Sequence, residues 1–196
     1  MRTWKWLGVS AFCAFAIPAT AMDIDQSITV IGSMSQYMLN EKEADTDSDA
    51  LATLGLGYQI QWDRINKVSM EWRPVDASFD AKSNHLSADA EGNQISLYWS
   101  HKARLTRVFK PWLSVGIRTT SIDVSNKQRI DDDGYVVPTD TPIEDRSGTD
   151  VAVMAAASVD WSFSRDWSAE WQVSYDQPLS DGLQGFGLAA MLRYQF

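Results

Sequence analysis

Cysteine is almost absent from this chain: among 196 residues the one example is Cys13. Everything from Met22 onward is therefore without disulfides, thiol chemistry or a cysteine metal site. Histidine is nearly as scarce, so any base catalysis must draw on His85 or His101. Long hydrophobic runs are missing too. The apolar stretch Trp6 to Ile17 falls short of the roughly 18 residues a spanning helix needs, and no segment shows a helical period. Basic residues are outnumbered, 17 against 26 acidic ones, which argues against a nucleic-acid partner.

The first 21 residues have the layout of a secretory leader. Arg2 and Lys5 precede the apolar stretch, and Ala19-Thr20-Ala21 supplies small residues for cleavage. The expected organisation is a signal peptide over residues 1–21 and one domain over 22–196. Without Arg2 and Lys5, 15 basic residues face 26 acidic ones, a charge of −11 with histidines neutral.

What the chain does have is alternation. Eight segments place apolar residues at every second position: Ser27 to Met38, Leu51 to Trp62, Lys67 to Val75, Gln94 to His101, Phe109 to Ile122, Asp150 to Phe163, Trp167 to Tyr175 and Leu183 to Phe196. The connections alternate as well. Asp63 to Asn66, Lys102 to Val108 and Ser164 to Asp166 are short, whereas Leu39 to Ala50, Asp76 to Asn93 and Asp123 to Thr149 are long and acidic. In an up-and-down meander all the short turns share one rim. Trp62, Trp99, Trp112, Trp161, Trp167 and Trp171 lie near those turns, with Tyr194 and Phe196. A ring of amphipathic aromatics at one mouth suits a membrane interface, so the alternation is expected to face its apolar side outward, into lipid.

With GLAAMLRYQF at its end, the chain resembles the small eight-stranded outer-membrane barrels of the OmpA, OmpX and PagP kind. Leu188, Ala190, Leu192, Tyr194 and Phe196 match the terminal-strand pattern of that superfamily. The resemblance implies an all-β, eight-stranded antiparallel up-and-down transmembrane barrel in the bacterial outer membrane, extracellular long loops and periplasmic short turns. It also implies contact with outer-membrane lipid and lipopolysaccharide, and insertion by the barrel-assembly machinery. The expected state is a monomer without cofactor or metal.

Six charged residues fall on inward positions: Glu71, Arg73, Arg118, Asp160, Glu170 and Arg193. So narrow an interior demands that they pair. A two-residue turn at Asp181-Gly182 sets Tyr175 opposite Leu188, Trp171 opposite Leu192 and Glu170 opposite Arg193, and the preceding turn sets Asp160 beside Glu170. The expected function is a plugged, non-enzymatic barrel with a structural or surface-interaction role. Alternatives are a narrow channel, or a lipid A modifying enzyme in which His85 works with Asp76, Ser78, Ser83, Ser87 or Asp89. Asp45, Asp47 and Asp49 alternate as in a calcium loop, but Ala50 stands where an EF-hand requires glycine.

Overall fold

A computed structural model describes residues 24–41, 44–48, 51–80, 86–106, 108–129, 135–136, 146–180 and 182–196. Residues 1–21, where a leader is expected, and His85 lie outside these residues. The described residues form nine strands: β1 (Asp25–Glu41), β2 (Ala44–Ser48), β3 (Leu51–Gln61), β4 (Asn66–Asp80), β5 (Leu86–Lys102), β6 (Trp112–Arg129), β7 (Arg146–Ser162), β8 (Trp167–Pro178) and β9 (Gly182–Gln195). All except β2 are neighbours in sequence order, and β1 pairs with β9 from Ser27↔Gln195 to Asn40↔Gly182, which closes an eight-stranded antiparallel barrel. The short β2 is an accessory that pairs with β1 and β4 beyond β3. Closure removes the free edges, whose unpaired N–H and C=O groups could not be satisfied in lipid. At the terminus, the Phe196 N–H donates to the Gln26 carbonyl at 3.1 Å, so the last residue completes the seam.

The wall is turned inside out relative to a soluble barrel. Val115, Ile117, Val153, Val173, Leu188 and Leu192 are exposed on the outer face, while Thr29, Ser69, Ser96, Thr120, Ser158 and Gln172 are buried within. Apolar-out and polar-in is the pattern of a strand that meets hydrocarbon on one side and a lumen on the other. Close approach is enforced at Gly116, paired with Tyr98. A Cβ there would overlap the Leu97 carbonyl and the Tyr98 backbone, so only glycine fits.

Three expectations need correction. The connection Asp76 to Asn93 is largely strand, and Asp123 to Thr149 begins and ends in strand, at 123–129 and 146–149, because β4 to β7 run far beyond the apolar wall. The apolar alternation does not stop there but changes phase: Val75, Ala77, Ala88, Ala90, Ile122 and Val124 point inward and form one buried cluster with Tyr37. A β-bulge between Ser87 and Asp89 interrupts the β5–β6 ladder. Opposite it, Asn126 adopts a φ of 55°, and its Nδ2 donates to Asp89 Oδ2 at 2.8 Å.

The last hairpin is also shifted. Tyr175 pairs with Phe186, Trp171 with Ala190 and Glu170 with Met191, so the register centres one residue earlier than a turn at Asp181-Gly182 requires. Such a slip displaces partners by two, and a two-residue shift keeps every side chain on its face. The neighbouring pairing of Asp160 with Glu170 is as expected.

Finally, Trp112 is not part of an outer girdle. It is 1% exposed, since it is in phase with Ser114 and Arg118 rather than with Leu113 and Val115. Trp99, Trp161, Trp167, Trp171, Tyr194 and Phe196 are exposed, and Trp62 is half-buried. Trp167 and Tyr194 pack with ring centroids 5.0 Å apart.

Candidate functional site in the barrel lumen

The lumen gathers charge in two tiers. In the tier nearer the short turns, Lys67 enters from β4 because it shares the inward phase of Ser69, Glu71 and Arg73. Its Nζ donates to both oxygens of Glu170 on β8, at 3.1 and 2.8 Å. Around the closed ring β4 and β8 are four strands apart in either direction, so this contact crosses the full width of the barrel. Glu170 also accepts from Arg193 Nη2 and from the Ser158 hydroxyl. Arg193 still reaches Glu170 after the register shift because both face inward and the strands are adjacent. Asp160 is paired with Lys102 at 3.1 Å. Trp112 lies under both lysines, with Lys67 Nζ 4.4 Å and Lys102 Nζ 4.9 Å from a ring centroid. An indole face stabilises cations that have left water.

In the second tier Arg73 donates to Glu71, and the Tyr98 hydroxyl donates to the other oxygen of the same carboxylate. Gln172 Nε2 reaches the Tyr98 hydroxyl at 3.4 Å. Arg118 on β6 donates to Asp176 on β8, to the Ser96 hydroxyl at 2.8 Å and to the Met154 sulfur. Beyond this tier, Gln94 donates to the Thr120 hydroxyl at 3.1 Å, and then the apolar cluster around Ile122 closes over the polar core.

Of the six residues singled out from the sequence, Glu71 meets Arg73 and Glu170 meets Arg193. Arg118 and Asp160 find other partners, Asp176 and Lys102. Sequence reasoning passed over Lys67, Lys102 and Asp176, although strand parity was enough to find two of them. Lys67 alternates with Glu71, and Asp176 alternates with Glu170 and Gln172. Lys102 closes β5 and was assigned to the turn. Among the described residues, five basic side chains (Lys67, Arg73, Lys102, Arg118, Arg193) thus share the interior with five carboxyl groups (Glu71, Asp150, Asp160, Glu170, Asp176), a formally neutral set. Burying ions is costly unless each is compensated, and removal of one partner is far worse than the pair itself. Ion pairs between β4 and β8, β6 and β8, and β8 and β9 hold the walls together.

His101 sits on the short-turn rim, where its Nδ1 is 3.0 Å from Asn66 Oδ1 and its ring lies 5.8 Å from Trp99. Among the described residues no group of histidine, cysteine and carboxylate side chains is arranged to hold a metal ion.

A closed eight-stranded antiparallel ring, apolar outside and charged within, defines an integral β-barrel of the outer-membrane type. Solved structures of that class share the fold. Neisserial surface protein A superposes with a TM-score of 0.57 at 8% identity, covering 87% of this chain and 97% of its own. OprG from Pseudomonas aeruginosa gives 0.54 at 13% identity, covering 88% and 96%. Ail, the attachment invasion locus protein of Yersinia pestis, gives 0.52 at 15% identity, covering 88% and 99%. No protein-family profile and no curated protein sequence matches the chain.

Proposed function

We propose that this protein is a sealed, non-enzymatic scaffold of the outer membrane, with its long acidic connections at the cell surface and its short turns in the periplasm. One observation carries the reading: the Lys67–Glu170 bridge spans the lumen from wall to wall. A small eight-stranded interior holds side chains rather than a water column, and a bridge across its diameter leaves ions no continuous path. The activity then resides on the surface, as one monomer in contact with lipid and lipopolysaccharide, inserted by the barrel-assembly machinery.

The Ail structure was obtained with a heparin analogue, sucrose octasulfate. That ligand chemistry does not transfer here, because the outward row Asp76, Glu91 and Asp123 repels a polyanion. The wild-type barrel should show no sustained conductance in planar bilayers, and steady single-channel currents would contradict the sealed lumen. Lipid A from cells that overproduce the protein should keep its mass spectrum; a new acylation state would instead establish an enzyme. Protease added to intact cells should cut only in the long connections.

A further inference from the structure

The β5–β6 turn stands apart from the other two on its rim. Residues 62–65 and 163–166 carry one acid and one base each, whereas Lys102 to Pro111 reads KARLTRVFKP, four bases and no acid. Lys102 is engaged by Asp160. The tip beyond it is shaped by its own hydrogen bonds. The Ala103 N–H donates to the Pro111 carbonyl at 2.8 Å and the Thr106 N–H to the Phe109 carbonyl at 3.1 Å. The Phe109 N–H in turn donates to the Thr106 hydroxyl at 2.8 Å.

That tip displays Val108 at 94% exposure, with Leu105 and Phe109 exposed beside it and Arg104 and Lys110 flanking them. Apolar groups so fully presented mark a contact surface. The patch continues the apolar wall, since Trp99 and Leu113, on the two strands it joins, are exposed outward. Apolar side chains between bases suit the boundary between acyl chains and anionic headgroups.

We propose that the Ala103–Pro111 tip is an interfacial anchor that docks on anionic phospholipid. Leu105, Val108 and Phe109 enter the headgroup boundary, and Arg104 and Lys110 meet lipid phosphate. The assignment to the periplasmic leaflet rests on the orientation proposed above; the lipid contact does not.

The chain beyond residue 21 has no cysteine, so Val108→Cys gives one site for a nitroxide. In vesicles containing phosphatidylglycerol, the label on the folded barrel should be shielded from a water-soluble nickel chelate and reached by oxygen. Phosphatidylglycerol should be enriched among lipids retained by the wild type. Arg104→Gln with Lys110→Gln should lower that preference by about fivefold per base removed, in a barrel that still folds. A label open to the chelate, or unchanged enrichment in the double variant, overturns the proposal, and the first result points to an acidic protein partner. Orientation is read separately from Arg64→Cys on the neighbouring turn. Its labelling by an impermeant maleimide on intact cells would overturn the periplasmic leaflet while leaving the vesicle result in force.

Discussion

Two halves of the same strands obey opposite rules. At Glu71 and Arg73, β4 buries its charges and turns Met70 and Trp72 outward; a few residues on it buries Val75 and Ala77 and exposes Asp76 and Ser78. In β5, Ser96 and Tyr98 are inside and Ile95 and Leu97 outside, whereas Ala88 and Ala90 are inside with Glu91 outside. β6 repeats the change, from Arg118 in and Ile117 out to Ile122 in and Asp123 out. The switch falls on one continuous row, Pro74↔Asn93↔Ser121↔Thr149, with Asp76↔Glu91↔Asp123 immediately beyond it. Strand pairing runs unbroken through this row, so the difference lies in the solvent. Below the row the outside is hydrocarbon; above it the outside is water, and the sheet reverts to the apolar-in pattern of a soluble barrel. Three carboxylates opposite one another repel, and only a high dielectric makes that row tolerable.

The comparison is broken most severely from inside the lower half. Glu170→Ala removes the carboxylate to which both Lys67 and Arg193 are hydrogen-bonded, which should cost about 3–5 kcal/mol in denaturant unfolding of the reconstituted barrel. The loss from Arg193→Ala should be smaller in the Glu170→Ala background than in the wild type, and additivity of the two would show that the pair is not coupled.

The boundary itself can be tested from outside. Ile117→Arg places a charge in the apolar band and should cost about 2–4 kcal/mol, whereas Ser121→Arg, two rows further along the same strand, should cost about 0–1 kcal/mol. Equal penalties would move the lipid boundary away from the Pro74 row. In the upper half the ordinary rules of a packed core return. Ile122→Val should lower stability by about 0.5–1.5 kcal/mol, with no change in membrane insertion. A variant that fails to insert would mean that the cluster belongs to the spanning segment.

These contrasts also explain what could be read from the sequence. Alternation gave the strands, because a period of two is a property of each strand alone, and the aromatics near the short turns with the terminal-strand pattern turned the apolar side of an eight-stranded barrel outward. The extensions were lost because the reading followed one phase of the alternation. Once Met70 and Trp72 had set the outward face of β4, Val75 and Ala77 read as an end rather than as a reversal. Trp112 was misplaced through its nearness to a turn, although parity with Arg118 put it inside. The partners of the lumen were the least legible. Glu170 and Lys67 are 103 residues apart and meet only because ring closure brings β4 opposite β8, and local pairing arithmetic does not reach across a barrel.

The smallest effect is expected at the rim furthest from the inversion. In the β3–β4 turn, Asp63 accepts from the Ile65 N–H at 2.7 Å, the Asn66 N–H at 2.5 Å and Asn66 Nδ2 at 2.7 Å. The Asn66 side-chain hydrogen bond, with the two backbone donors, holds the carboxyl below its ordinary value against the opposing push of desolvation. A carboxyl with a lower pKa in the folded state stabilises the fold above its unfolded pKa of about 3.9, and the contribution disappears as the pH falls through the folded value. The site is fully exposed, so solvent screening keeps the effect small. Acid titration of unfolding should therefore separate wild type from Asp63→Asn at neutral pH and bring the two curves together in strong acid. A gap that widens as the pH falls would reverse the sign and show that the turn is not held by the ionised carboxylate.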